Sequence, residues 1–127
     1  MYRVMLKSKL HRAVVTGTAL HYEGSIAIDL ALMEAADILP NERVDVYNIH
    51  TGARFSTYAI PARRGSGIVS LNGAAARLGA AGDRIIIAAY AWVSEDEARA
   101  IRPRIIRLDD NNRPQSLPTG RRGRKRS

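Results

Sequence analysis

Residues 44–60, VDVYNIHTGARFSTYAI, hold two runs of mixed apolar and polar side chains on either side of a short break that contains a glycine. In an extended chain successive side chains point to opposite faces, so alternation with a period of two marks a half-buried strand. Two such runs, VDVYNI at 44–49 and RFSTYAI at 54–60, separated by a Thr51-Gly52 turn, predict a β-hairpin.

Outward from this hairpin the same signal recurs. Residues 2–6 and 13–16 read as strands that Gly17 interrupts, and 68–71 and 84–93 as two more. Residues 104–108, RIIRL, follow Pro103 and carry flanking arginines, which suits an edge strand. Helix is scarcer. Asp29 is placed to cap LALMEAADI at 30–38, which Pro40 ends; NGAAARL at 72–78 is a second short helix. SEDEARAI at 94–101 is a third, with Ser94 as its cap and acidic residues in its first turn. Many short strands with a few short helices predict a mainly β fold, a small closed barrel.

A chain of 127 residues is one domain's worth of polypeptide and buries roughly two-thirds of its unfolded surface. Its hydrophobic fraction of 46% and charged fraction of 25% are those of a soluble globular protein. Of the net charge of +8, five units sit in residues 119–127, TGRRGRKRS, so the body is only mildly basic. Residues 111–127 are polar, rich in Pro and Arg and without periodicity, and predict a disordered tail behind a domain at 1–110. The absence of cysteine excludes disulfides, thiolate zinc sites and a Cys nucleophile, and suits a reducing cytoplasm. No apolar stretch of signal-peptide length opens the chain, and the longest apolar run, 85–93, is about half of what a membrane-spanning helix needs. Neither secretion nor membrane insertion is expected.

The common catalytic motifs are absent: no nucleophile elbow, P-loop, dinucleotide fingerprint or His-Glu-x-x-His. His11, His21 and His50 lie in separate segments and suggest no metal site. Taken alone, Gly24-Ser25 and Asn72-Gly73 read as ordinary turns, Gly65-Ser66-Gly67 as a loop, and Lys9 and Arg54 as solvated cations. One chemistry is open to Gly24-Ser25. A serine hydroxyl can attack the preceding glycine carbonyl where the backbone is strained and a donor receives the oxyanion.

The segments MLKSKLHRAVVT, LHYEGSIAID, GARFSTYAI, RGSGIVSLNGAAARL, GDRIIIAAY and DEARAIRPRI, in that order, resemble the pyruvoyl-dependent aspartate 1-decarboxylases from the first residues to about Leu108. The resemblance implies a double-psi β-barrel, a homotetramer and a cytoplasmic lyase made as a self-cleaving zymogen. It implies autocatalytic cleavage into 1–24 and 25–127: the Ser25 hydroxyl attacks the Gly24 carbonyl, the resulting ester eliminates, and Ser25 becomes a covalent pyruvoyl group. That group would form a Schiff base with L-aspartate and act as an electron sink for loss of CO₂, giving β-alanine for pantothenate and coenzyme A biosynthesis without pyridoxal phosphate or metal.

Roles follow by matching positions. Tyr58 matches the proton donor, and a phenol keeps its proton at neutral pH. Thr57 matches a residue that contacts substrate and assists processing at Gly24 and Ser25. Arg54 matches the cation expected on a substrate carboxylate, where its planar fork allows two bonds. Gly73, Ala74 and Ala75 match the substrate-binding backbone run; Lys9 and Asn72 match further substrate-binding residues, and His11 and Tyr22 match others near the site. Ala19 departs from the pattern, which has an acidic residue there.

Two other classes are weighed against this reading. A small basic β-barrel that binds nucleic acid draws on the net charge and on Arg99, Arg102, Arg104 and Arg107. An aromatic content of 6% leaves it few stacking platforms. A homologue that keeps the barrel but no longer cleaves is opposed by the intact Gly24, Ser25, Thr57 and Tyr58.

Overall fold

The 44–60 hairpin forms as its alternation requires. In the computed structural model, which describes residues 1–19 and 24–115, strands β4 (Arg43–Asn48) and β5 (Arg54–Ala62) pair antiparallel, with Val44 opposite Thr57 and Tyr47 opposite Arg54. Gly52 takes φ +78°, a left-handed conformation natural to glycine, and its N–H closes the turn on Asn48 O at 2.8 Å.

The other elements, in chain order, are β1 (Tyr2–Val14), β2 (Gly17–Ala19), β3 (Ser25–Asp29), α1 (Leu30–Ala35), β6 (Val69–Asn72), a 3₁₀ turn (Gly73–Arg77), β7 (Arg84–Ser94), α2 (Glu95–Ala100) and β8 (Arg104–Arg107). The eight strands form one mixed sheet in the order β2-β6-β3-β5-β4-β7-β1-β8. The expectation of a mainly β fold is met. The ladder has no closing pair between β2 and β8 among the described residues. Leu10 and Ala13 of β1, Ile26 and Ile28 of β3, Val44 and Val46 of β4, Val69 and Leu71 of β6, and Ile85 and Ile87 of β7 nevertheless share one core. Strands from both halves of the order thus turn their apolar faces to a common interior.

Several elements differ from the sequence reading. The strands read at 2–6 and 13–16 are one strand, β1, continuous but bulged between Leu6 and Ser8 and between Leu10 and Ala13. Ser8 is fully buried in an inward position, so a polar residue hides the alternation; Arg12, at φ +67°, marks the second bulge. The helix read at 30–38 stops at Ala35, with Asp29 capping Ala31 N at 2.9 Å and Asp37 already at φ +55°. The segment at 72–78 is a 3₁₀ turn, not an α-helix. The third helix begins as read: Ser94 Oγ accepts from Glu97 N at 3.2 Å while the Glu97 carboxylate accepts from Ser94 N at 2.8 Å. β8 is an edge strand, parallel to β1.

Residues 111–115, read as the start of the tail, make contacts with the body. Leu108 bridges Pro114, Gln115 N donates to Arg107 O at 2.8 Å, and Asn112 is 1% exposed. These residues are polar, but their polarity is spent on hydrogen bonds to the body. The rest of the predicted tail, 116–127, lies outside the described residues.

Candidate active site

Three strands meet at Ser25. β3 starts there, pairs antiparallel with β6 so that Ser25 faces Asn72, and pairs parallel with β5 so that Ile26 faces Ala59. The second register brings Thr57 and Tyr58 beside the Gly24-Ser25 peptide. Ser25 is 2% exposed, and Asn72 Nδ2 donates to its Oγ at 3.2 Å. Gly24 precedes the strand, and the position a Cβ would occupy there has no atom within 4 Å among the described residues beyond its chain neighbours. A cavity opens beside this residue.

That cavity measures about 410 Å³ and is lined by Gly24, Phe55, Ser56, Thr57, Tyr58, Ala74, Ala75 and Leu78. Gly73 turns the chain from β6 into the 3₁₀ turn at φ +62°, a conformation that costs an L side chain about 1 kcal/mol or more. The small residues that follow line the wall, where a ligand can approach the main chain closely.

The structure thus gathers Gly24, Ser25, Thr57, Tyr58, Asn72, Gly73, Ala74 and Ala75 in one neighbourhood. Arg54 does not line this cavity. Its guanidinium lies 4.0 Å above the Tyr47 ring, and the Tyr47 hydroxyl is 2.8 Å from that of Tyr90. The hydrogen bond with Tyr90, then burial, push the Tyr47 phenol up to about 12. Lys9 and His11 sit on β1 opposite Ile105 and Arg107 of β8 and do not line the cavity either. Burial, then the charges of Lys9, Arg107 and Arg12, lower the His11 pKa and favour its neutral form. Tyr22 lies outside the described residues. Ala19, where an acidic residue is expected, is the ladder partner of Asn72. No group of three or more His, Asp or Glu side chains placed to hold a metal occurs among the described residues.

Sequence reasoning missed Ser70 and read Asp29 only as a helix cap. Ser70 Oγ donates to Asn72 Oδ1 at 3.2 Å; its i, i+2 spacing from Asn72 on one strand was the available signal. Asp29, at the far end of β3, is 1% exposed and accepts N–H bonds from Ala31, Gly65 and Gly67, each at 2.9 Å, with Arg113 3.6 Å away. It anchors the strand that begins at Ser25. A second cavity of about 370 Å³ between Val4, Glu42, Arg43, Asp45, Tyr90 and Trp92 includes none of the residues around Ser25.

A family model described as aspartate decarboxylase matches residues 1–115. The chain is 60% identical over 116 residues to the aspartate 1-decarboxylase of Syntrophobacter fumaroxidans, covering 91% of this chain and 94% of that protein. It is 56% identical over 117 residues to the aspartate 1-decarboxylase of Thermoanaerobacter pseudethanolicus, covering 92% and 100%. The corresponding protein of Paraburkholderia phymatum is 59% identical over 113 residues, 88% of either chain.

Proposed function

The chain belongs to the aspartate decarboxylase family, and from that premise we propose that it is a self-processing carboxy-lyase that converts L-aspartate to β-alanine and CO₂. The observation that carries the reading is the buried Ser25 hydroxyl, held by an amide donor at 3.2 Å beside the unobstructed Gly24 and a cavity walled by Thr57 and Tyr58. A covalent pyruvoyl group fits these residues: its source serine is intact, and Gly24 beside it lines the cavity. Once formed from Ser25, that group supplies a carbonyl that serves as an electron sink for loss of the α-carboxylate.

The remaining work falls to the chain's own side chains. In the acyl shift Thr57 Oγ1 donates to the Gly24 carbonyl oxygen and stabilises the oxyanion that Ser25 attack creates. The Tyr58 hydroxyl delivers a proton to the substrate α-carbon after CO₂ has left. Gly73, Ala74 and Ala75 let a carboxylate approach main-chain N–H groups. Arg54 and Lys9 hold carboxylate charge from outside the cavity's own wall. That position fits a homotetramer in which one copy's cations reach a neighbour's cavity. Exposed apolar side chains on the paired strands β1 and β7 support assembly: Tyr2, Val4 and Trp92, with Val4 and Trp92 directly opposite. We place the enzyme in the cytoplasm, as a source of β-alanine for pantothenate. No helix among the described residues is long and apolar enough to cross a membrane. Family membership sets the nucleic-acid reading aside.

The test is the intact mass of the purified protein under denaturing conditions. Two chains split after Gly24, with a summed mass that gains one water and loses one ammonia, are expected, together with β-alanine formation from L-aspartate. A Ser25→Ala variant that still splits at this bond would overturn processing through the serine.

A further inference from the structure

Resting on the self-processing reading, we infer that Ser70 is a positioning residue for maturation: its hydroxyl fixes the Asn72 amide so that the amide donates to the Ser25 oxygen. Ser70 and Asn72 are two residues apart on β6 and share a face of the sheet, while Val69 and Leu71 turn into the core. The ladder partners of Ser70 are Gly17 in β2 and Ala27 in β3. With neighbours that small, bulk does not hold its side chain; the hydrogen bond does.

The Asn72 amide is asymmetric, with one end that only accepts and one that only donates. Ser70 Oγ donates to the accepting end at 3.2 Å, and the donating end then meets Ser25 Oγ at 3.2 Å. Turned over, the amide would present its own lone pairs to Ser25 Oγ.

Charge builds on that oxygen twice. In the acyl shift, Oγ loses its proton and bonds to the Gly24 carbonyl carbon; the bond from that carbon to the Ser25 nitrogen breaks, and the nitrogen takes up a proton to become an amine. In the elimination, a base removes the Ser25 Cα proton, the Cβ–Oγ bond breaks with its electron pair, and Oγ leaves within the Gly24 carboxylate. The enamine left at Ser25 takes up water and releases ammonia to give the ketone. A donor on Oγ stabilises the oxygen in both steps, whereas lone pairs there oppose both.

The two steps have separate readouts. If elimination slows, water has time to hydrolyse the ester, and the larger chain then begins with serine instead of pyruvoyl. The experiment follows the intact masses of wild type, Ser70→Ala and Ser70→Thr during incubation after purification. Loss of one oriented hydrogen bond at a reacting atom corresponds to about a tenfold slower step. The Ser70→Ala protein should therefore accumulate full-length chain, split about tenfold more slowly and yield a larger share of serine-ended product. Ser70→Thr keeps a hydroxyl on a side chain suited to strands and should restore both the rate and the end-group ratio.

Wild-type rate and ratio in Ser70→Ala would overturn the inference. So would equal slowing in both variants with an unchanged end-group ratio, which marks a purely structural effect. A wild-type chain that never splits removes the self-processing reading and this inference together, whereas a failure confined to the variants leaves that reading standing.

Discussion

Replacing Asn112 by Ala should cost about 4 kcal/mol of folding stability, although composition places this residue in a tail. Its side chain accepts from Val14 N at 2.7 Å and donates to Val14 O at 2.9 Å and Gly67 O at 2.8 Å. Truncation leaves three backbone groups without this partner. A buried unpaired group costs about 1–3 kcal/mol, and the half-buried setting of Val14 argues for the lower end, about 3 kcal/mol for the three. Asn112 also sits at φ +57°, where alanine costs roughly 1 kcal/mol more than asparagine. The measurement is urea unfolding in a Ser25→Ala background, so that one intact chain unfolds, at fixed protein concentration. The midpoint should fall by roughly 2 M with an unchanged slope, and the melting temperature by on the order of 15 °C. Asn112→Gly relieves the backbone strain and should recover about 1 kcal/mol. A chain ended after Gln115 should match the parent, and one ended after Asp110 should lose at least as much as Asn112→Ala. If Asn112→Ala stays within about 1 kcal/mol of its parent, the three bonds do not tie residues 111–115 to the body and the reasoning fails.

Two predictions concern titration. Burial alone would raise the Asp29 pKa, but the N–H groups of Gly67, Gly65 and Ala31 and the Arg113 charge outweigh it and hold the carboxyl below its usual range. Its stabilisation is therefore present above the unfolded value of about 3.9 and is lost as pH falls through the lower folded value. Asp29→Asn should melt well below wild type at neutral pH, with the gap closing under about pH 4; a gap that stays constant into stronger acid refutes this. Tyr47, raised to about 12 first by its bond to Tyr90, contributes stability that declines as pH climbs from about 10 through that value. Tyr90→Phe should bring this phenol down toward about 10 in an alkaline absorbance titration, and a phenol still titrating near the wild-type value would show that Tyr90 is not the cause.

What could be read from the sequence was local. The β4–β5 hairpin and the Ser94 cap are legible because neighbouring residues determine them: two alternating runs about Gly52, and a serine three residues before Glu97. The middle of β1 was not legible, because Ser8 stands inward where an apolar residue would have shown the pattern. β2 was hidden behind Gly17, which reads as a break but pairs with Ser70. The parallel pairings β2–β6, β3–β5 and β1–β8 join segments far apart in sequence and leave no periodic trace. At 111–115 composition reports polarity, and it has no means of reporting that the polar groups are bonded to Val14 and Gly67.

The site shows the same division more sharply. By itself Gly24-Ser25 is a turn; only the family resemblance made it a cleavage point, and only the register shows what surrounds it. Because Ser25 faces Asn72 while Ile26 faces Ala59, one short strand draws an amide from β6 and a phenol from β5 to the same peptide. The same register argues against a simple placement of Arg54. It stands four residues from Tyr58 along β5, about 13 Å at the rise of an extended chain, and its guanidinium is engaged on the Tyr47 ring. A carboxylate held beside Tyr58 is beyond that position unless the arginine leaves Tyr47 and swings along the strand. The guanidinium's place on the Tyr47 ring is a tertiary contact, which the pattern of residues along one chain does not encode.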